Sequence, residues 1–151
     1  MDYRFTGKSS GVLRGNFDNL DEIISDCSSY LRIVHSTLPT VPLFLVGHSL
    51  GGLISLRLSI TNSDIVKGLV LLAPALNVIL YNNWMFVMML KATSALSPTG
   101  GIKLPESNLN SRTAAAGRPD PLSFNGKMRF STVAAISRSM EMKRNSFHPI
   151  Q

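Results

Sequence analysis

The segment 43–60 constrains the fold more than any other part of the chain. Four apolar residues, Leu43 to Val46, form a continuous run that is typical of a strand buried on both faces. A Gly-x-Ser-x-Gly pentad follows at 47–51, and beyond it apolar residues recur at helical spacing through Leu58. Strand, turn and helix therefore follow one another in the order that places a serine on a sharp strand-to-helix turn.

Ser49 lies at the centre of this turn, and its neighbours suit the geometry. Side chains two positions on either side of it would collide where the chain reverses, and Gly47 and Gly51 remove them. Gly52 lets the following helix lie close to neighbouring strands. That helix directs free backbone N–H groups toward the serine, and the Leu50 N–H is a candidate donor to a developing oxyanion. Ser49 is a candidate nucleophile; a glycine-containing turn in any α/β protein is the alternative.

The regions on either side of this segment complete a βαβ pattern. A second apolar run at 69–72, joined to the first by a helix, predicts a right-handed βαβ unit and hence a parallel sheet. Upstream, apolar residues at helical spacing predict an amphipathic helix from Leu20 to Leu38, ended by Pro39. Cys27, the single cysteine, falls on its apolar stripe, so we expect a small buried side chain. The candidate N-caps of this helix are Asn16, Asp18 and Asn19.

Residues 75–97 differ in character from the rest of the chain. They are rich in methionine and aromatic residues, and asparagines interrupt them too often for a membrane span. One interpretation is a helix packed inside a larger protein. The other is an apolar lid over 78–90 that holds acyl chains or touches a membrane. Residues 98–130 are typical of loops, and a helical pattern returns from Arg129 to Lys143.

The net charge of +6 is unevenly distributed. Residues 1–90 carry six basic and six acidic side chains, whereas residues 91–151 carry nine basic and three acidic ones. The basic residues are scattered singly, so we expect no nucleic-acid partner. A solvated face and a surface toward anionic lipid both remain open. The charged N-terminus has no apolar segment typical of a signal peptide, so we expect a cytoplasmic or membrane-peripheral protein.

Three motifs span nearly the whole chain: Gly-His-Ser-Leu-Gly-Gly at 47–52, residues 2–9 followed by Arg14-Gly15, and Asp-Pro-Leu at 120–122. Together they resemble the monoacylglycerol lipase and lysophospholipase (serine aminopeptidase-like) branch of the α/β-hydrolases. They occur in the family's order, with similar gaps. One departure is Phe5-Thr6, where the family usually has glycine followed by an aromatic residue or histidine.

The resemblance implies a partial α/β-hydrolase fold of class α/β. Residues 1–74 would be the central part of the core, residues 75–145 a mostly helical cap, and residues 146–151 the lead-in to a further core strand. The implied reaction is hydrolysis of a carboxylic ester of a lipid, such as a monoacylglycerol or lysophospholipid. Ser49 falls on the nucleophile's position and the Leu50 N–H on one oxyanion donor. The family uses no metal and no organic cofactor.

The same resemblance places the triad's aspartate and histidine outside this chain. Four core strands would precede Met1 and two would follow Gln151, so we expect the isolated chain to be catalytically incomplete. Asp120 and His148 are separated by a family-like interval, but no strand precedes the aspartate and no helix follows the histidine. His48 is expected to pack or form a hydrogen bond. The alternatives are a non-catalytic lipid- or partner-binding fragment and an enzyme assembled from two chains.

Overall fold

The computed structural model describes residues 1–11, 14–76, 84–97, 100–103, 122, 124 and 126–144. Within these ranges the elements are α1 (Leu20–Thr37), β1 (Leu43–His48), α2 (Leu50–Thr61), β2 (Val66–Leu72), α3 (Trp84–Leu96), β3 (Gly101–Ile102), β4 (Met128–Arg129) and α4 (Phe130–Arg144). The chain divides into two compact units. One comprises Asn19–Trp84 and Ile136–Gln151, and the other comprises Met1–Asp18 and Met85–Ala135.

Helix α1 confirms the predicted amphipathic helix. Asn19, one of three candidate caps, accepts a hydrogen bond from the Asp21 N–H at 2.9 Å. The buried side chains form the expected stripe of Leu20, Ile23, Ile24, Cys27 and Leu31. Leu38 was predicted on this stripe but is 49% exposed, because the helix has ended one residue before it.

Strands β1 and β2 pair in parallel, which confirms the βαβ prediction. Leu45 lies opposite Leu69, Val46 opposite Val70, and His48 opposite Leu72. Strand β1 continues beyond the apolar run to His48, and β2 begins at Val66, three residues before the predicted start. Gly47 and His48 in β1, and Lys67 and Gly68 in β2, interrupt the apolar pattern, so an apolar run alone underestimates the length of a strand.

Only one face of this two-stranded sheet is covered, and the prediction of strands buried on both faces is wrong for the described residues. Phe44 and Val46 are 62% and 65% exposed, and Val70 and Leu72 are 49% and 51% exposed. The register places all four side chains on one face, since parallel partners share a face. Gly47, of the opposite parity, is buried against α2. Helix α2 therefore covers the other face.

The core of this unit lies between α1, α2 and the sheet. Leu53 and Ile54 of α2 are 0% and 1% exposed. Their burial explains why α2 is apolar around most of its circumference. Buried Asn62 ends this helix: its Nδ2 donates to the Leu58 oxygen at 3.1 Å, and its Oδ1 accepts from Ser28 of α1 at 2.7 Å. These bonds join the C-terminal end of α2 to α1.

In the other unit, polar groups connect the N-terminal region to the start of α4. Asn16 is 4% exposed; its Nδ2 donates to the Lys127 oxygen at 3.2 Å and its Oδ1 accepts from the Arg129 N–H at 2.7 Å. The Thr132 hydroxyl donates to the Phe17 oxygen at 2.7 Å. Strands β3 and β4 pair antiparallel where loops were predicted. Helix α4, which begins at Phe130, confirms the C-terminal helical pattern.

Phe5 has the left-handed φ of 65°, which disfavours any residue with a Cβ atom. This is the position at which the family resemblance expects glycine. The Phe5 carbonyl accepts a hydrogen bond from the Gly15 N–H at 2.7 Å. The Phe5 ring occupies the place where a Cβ on Gly11 would lie. Local packing therefore maintains a conformation that glycine would adopt without strain.

Several predictions fall on residues outside the described part of the chain. These are the first residues of the proposed lid, most of the loop region including Asp120, the residue His148, and the lead-in at 146–151. The division by role into 1–74, 75–145 and 146–151 stays a prediction.

Candidate active site

Ser49 occupies the single residue between β1, which ends at His48, and α2, which begins at Leu50. Its φ of 51° and ψ of −119° lie outside the regions that non-glycine residues favour. The residue is exposed, and its side chain makes no capping hydrogen bond to the helix that it precedes. The strained turn thus presents a hydroxyl that is not used to cap its own helix.

The backbone of Ser49 is held by the end of β2. Its N–H donates to the Leu72 oxygen at 3.1 Å, and its carbonyl accepts from the Ala75 N–H at 2.9 Å and the Gly52 N–H at 3.0 Å. The chain turns between these anchors at Ala73, which also has a positive φ, of 42°. Sequence reasoning missed this support, since Ala73 and the proline after it indicated only the end of a strand. Nothing in an alanine marks a left-handed conformation.

The three glycines around the turn differ in what surrounds them. A Cβ on Gly47 would collide with the backbone oxygen of Gly51 and lie 2.6 Å from the Ser55 Oγ. A Cβ on Gly52 would lie 2.7 Å from the Cβ of Pro74. A Cβ on Gly51 would meet no atom within 4 Å. The steric reason expected for Gly51 is therefore not met by the described residues, because no element packs on that side of the turn.

The start of α2 supplies the electrostatic character of this site. Leu50 is the first helical residue, and its N–H has no acceptor within its own helix because no preceding turn exists. The positive end of the helix dipole lies at the same place. His48 is exposed beside the turn rather than packed. Among the described residues, no hydrogen bond joins a histidine or carboxylate to the Ser49 hydroxyl.

Metal binding, membrane spanning and thiol chemistry are the other possibilities for the described part of the chain. No group of three histidine, cysteine, aspartate or glutamate side chains there is arranged to hold a metal ion. None of the helices described has the length and apolarity needed to cross a bilayer. Burial, with a smaller contribution from the Asp26 carboxylate, raises the pKa of the Cys27 thiol above its ordinary value. This thiol is therefore a core group.

Comparison with protein families decides the class of this strand–turn–helix. The profile of the serine aminopeptidase S33 family matches residues 1–151, which is the whole sequence. The chain belongs to the S33 family. The resemblance inferred from the three motifs is thereby confirmed, and a hydrolase family is established for the chain.

Two relatives by sequence carry lipase names. The chain is 28% identical over 143 residues to a monoacylglycerol lipase of Mycolicibacterium smegmatis. This match covers 93% of this chain and 49% of that protein. The chain is 31% identical over 71 residues to a monoglyceride lipase homolog of Monkeypox virus. This match covers 47% of this chain and 25% of that protein. The chain thus spans about half or less of the length of these relatives.

Solved structures establish the fold. The monoacylglycerol lipase of Paleococcus ferrophilus matches with a TM-score of 0.69 and 24% identity, over 95% of this chain and 55% of that one. A soluble variant of the Saccharomyces cerevisiae monoglyceride lipase matches with a TM-score of 0.70 and 18% identity, over 96% of this chain and 51% of that one. A Bacillus coagulans carboxyl esterase matches with a TM-score of 0.67 and 19% identity, over 93% of this chain and 53% of that one. The S33 chain has a partial α/β-hydrolase fold.

Proposed function

We propose that this chain supplies the nucleophile of a serine hydrolase that cleaves carboxylic esters of lipids, and that the Ser49 Oγ is the attacking atom. The observation that carries the proposal is the strained, exposed conformation of Ser49 between β1 and α2. A conformation with this energetic cost persists only where surrounding structure imposes it, and such positions concentrate at functional sites. Four backbone hydrogen bonds that involve the Ser49 N–H and carbonyl supply that structure.

The proposed chemistry follows from what lies next to the hydroxyl. When Oγ attacks an ester carbonyl, negative charge develops on the carbonyl oxygen. The Leu50 N–H and the helix dipole would stabilise that charge in a preorganised way. The serine proton must pass to a base, and a histidine oriented by a carboxylate is the usual arrangement. This chain would contribute the nucleophile and half of the oxyanion site.

The proposed substrate class rests on the relatives. Proteins named monoacylglycerol lipase or monoglyceride lipase occur among the matches by sequence and by structure. Monoacylglycerols and lysophospholipids share one acyl ester and one long apolar tail. We therefore propose a lipid ester of this kind as the substrate.

We also propose that the chain alone does not catalyse this reaction. The base and its orienting carboxylate are attributed to segments that this sequence does not contain. Without a base, the hydroxyl keeps its proton and is a weak nucleophile. Asp120 and His148 are not expected to replace them, since sequence gives them neither the preceding strand nor the following helix of a triad.

Labelling with a fluorophosphonate tests both statements. We expect no labelling of Ser49 in the chain alone. A single-chain hybrid, in which the M. smegmatis lipase supplies the regions outside the matched segment, should be labelled and should hydrolyse monoacylglycerol. Ser49→Ala should abolish both in the hybrid. Ser59→Ala is the matched control, because Ser59 lies on the same helix with its hydroxyl donating to the Leu56 oxygen at 2.8 Å.

Two outcomes would contradict the proposal. If the hybrid folds but Ser49→Ala leaves hydrolysis intact, Ser49 is not the nucleophile. If the chain alone is labelled at Ser49 at a rate typical of serine hydrolases, it contains a base. Asp120→Asn and His148→Ala would then be the first substitutions to examine.

A non-catalytic role in lipid binding is the second candidate, and helix α3 favours it. Met85, Met88 and Met89 are 62%, 55% and 54% exposed, and Leu96 is 86% exposed. These positions repeat at helical spacing, so they form one apolar stripe, whereas Leu90 is 1% exposed. Flexible methionine side chains adapt to varied apolar ligands. The basic C-terminal half of the sequence would favour an anionic membrane surface.

Trp84, the only tryptophan, lies at the first position of α3 and makes this candidate testable. Vesicles of phosphatidylglycerol should shift its emission to the blue, more than phosphatidylcholine vesicles do, and salt should weaken the shift. Met88→Glu should reduce the shift, whereas Ile33→Glu, at an exposed apolar position of α1, should not. An emission spectrum that vesicles leave unchanged would contradict the candidate function of lipid binding by α3.

A further inference from the structure

The turn at 72–75, where β2 ends, connects the Ser49 backbone to an element other than its own helix. The Ser49 N–H donates to the Leu72 oxygen at 3.1 Å, and the Ser49 carbonyl accepts from the Ala75 N–H at 2.9 Å. The two further bonds to that carbonyl come from Gly52 and Leu53, which belong to α2. Among the described residues, the 72–75 turn therefore supplies the bonds that do not move with α2.

These bonds hold both peptide groups that flank the Ser49 Cα atom. The N–H belongs to the peptide plane before this atom, and the carbonyl belongs to the plane after it. The orientation of the two planes relative to the Cα atom is what φ and ψ describe. When both planes are held, the direction of the Cα–Cβ bond is held as well, and only rotation about χ1 remains. The position of the Ser49 Oγ thus depends on the geometry of the 72–75 turn.

A reversal at Ala73 allows this turn to reach both peptide groups of Ser49. Leu72 supplies the acceptor and Ala75 supplies the donor, so the chain must reverse within the two residues between them. Pro74 cannot take a positive φ, since the proline ring fixes this angle at about −65°. The left-handed step therefore falls on Ala73, whose φ is 42°.

The Ala73 side chain does not itself stabilise this conformation. The residue is exposed, so burial of its methyl group contributes little to the turn. A left-handed conformation costs free energy for any residue with a Cβ atom, and the position before a proline is restricted further. The bonds to Ser49 offset this cost, and so does packing of Pro74 on α2, where a Cβ on Gly52 would lie 2.7 Å from the Pro74 Cβ. The strained conformations of Ala73 and Ser49 thus depend on the same two hydrogen bonds.

We infer that Ala73 is a positioning residue for the proposed nucleophile. Its left-handed conformation holds the Leu72 oxygen and the Ala75 N–H where they fix the direction of the Ser49 hydroxyl. The catalytic consequence rests on the proposed function, whereas the coupling of the two backbone conformations rests on the hydrogen bonds alone. A residue that cannot adopt a positive φ at position 73 should therefore slow the reaction without weakening substrate binding.

Amide hydrogen exchange in the full 151-residue chain tests the coupling without using activity. Ala73→Val places a β-branched side chain at a positive φ, which such residues do not tolerate. It should accelerate exchange of the Ser49 N–H at least about tenfold, because this group then loses its acceptor. Ala73→Gly should keep that exchange within about twofold and should not lower the midpoint of thermal unfolding, since glycine adopts a positive φ without strain. Ala95→Val, at an exposed helical alanine of α3, is the matched control and should leave Ser49 exchange unchanged.

The single-chain hybrid tests the catalytic consequence. Ala73→Val should lower kcat for monoacylglycerol hydrolysis at least about tenfold and change KM less than about twofold, because a displaced nucleophile slows the reaction but leaves substrate contacts in place. Ala73→Gly, the conservative variant, should recover most of the kcat that Ala73→Val loses. Replacement of Ala75 by lactate exchanges its N–H for an ester oxygen and adds no side chain. It should lower kcat in the same way, which keeps the test decisive if Ala73→Val does not fold.

Two results would overturn the inference. If Ala95→Val accelerates Ser49 exchange as much as Ala73→Val does, the two backbone conformations are not specifically coupled. If lactate at position 75 leaves kcat unchanged, the 72–75 turn does not position the nucleophile, even where Ser49→Ala abolishes hydrolysis. Conversely, hydrolysis that survives Ser49→Ala would contradict the proposed function, and the exchange of the Ser49 N–H would still decide the coupling.

Discussion

The two faces of the β1–β2 sheet are almost equally apolar in sequence, yet they differ in their surroundings. On one face, Gly47 is buried against α2, whose Leu53 and Ile54 are fully buried. On the other face, Val46 and Val70 remain largely exposed. The comparison shows that the apolar character of a strand residue does not by itself indicate whether an element of this chain covers it.

The largest expected contrast is in stability. Leu53→Ala should lower the free energy of unfolding by about 2–5 kcal/mol, since it leaves a cavity on the covered face. Val46→Ala should change it by less than about 0.5 kcal/mol, because the removed methyl groups face solvent. Urea unfolding of both variants measures the difference. Equal losses would mean that the second face is covered in solution.

The next contrast is between two adjacent glycines of the turn. Gly52→Ala should cost about 1–3 kcal/mol, because its Cβ would force Pro74 away from α2. Gly51→Ala should be neutral or should stabilise the chain by about 0.5–1 kcal/mol, since its Cβ meets open space in the first helical turn. Thermal unfolding separates the two. In the single-chain hybrid, Gly51→Ala should become destabilising if the elements that the lipase supplies pack there.

Thiol reactivity compares the faces without unfolding the protein. At pH 8, Cys27 should react with a disulfide reagent at least about tenfold more slowly than a thiol introduced by Val46→Cys, because burial raises the Cys27 pKa and limits access. Raising the pH should accelerate Cys27 as its thiolate fraction increases. The single-cysteine variant Cys27→Ser/Val46→Cys isolates the second rate. Similar rates would show that α1 does not protect its buried stripe.

The smallest effect is expected from polar substitution on the exposed face of the β1–β2 sheet. Val46→Thr with Val70→Thr should alter the free energy of unfolding of the chain by less than about 0.5 kcal/mol. It should also reduce aggregation, which the exposed face and open edges otherwise promote. In the hybrid the same pair should be clearly destabilising, because two hydroxyls would then be buried. Sedimentation and urea unfolding test these outcomes, and destabilisation of the chain alone would contradict them.

The local order of elements followed from the sequence because it depends on contacts between near neighbours. The apolar stripe and Asn19 set the position of α1, and the pentad set the turn between β1 and α2. Periodicity and capping act within a few residues, so they can be read without the rest of the fold. The family itself was evident from three short motifs, and its profile matches the whole chain.

The tertiary structure alone decided which apolar residues are covered and how the turn is held. Val46 and Leu53 are both apolar residues in apolar segments, but Val46 is 65% exposed and Leu53 is 0% exposed. Ala73 adopts a positive φ because Ser49 bonds to residues on both sides of it, and no local propensity predicts that. Burial and backbone strain depend on partners that are distant in sequence, so the sequence named the candidate residues and the assembled chain determined their environments.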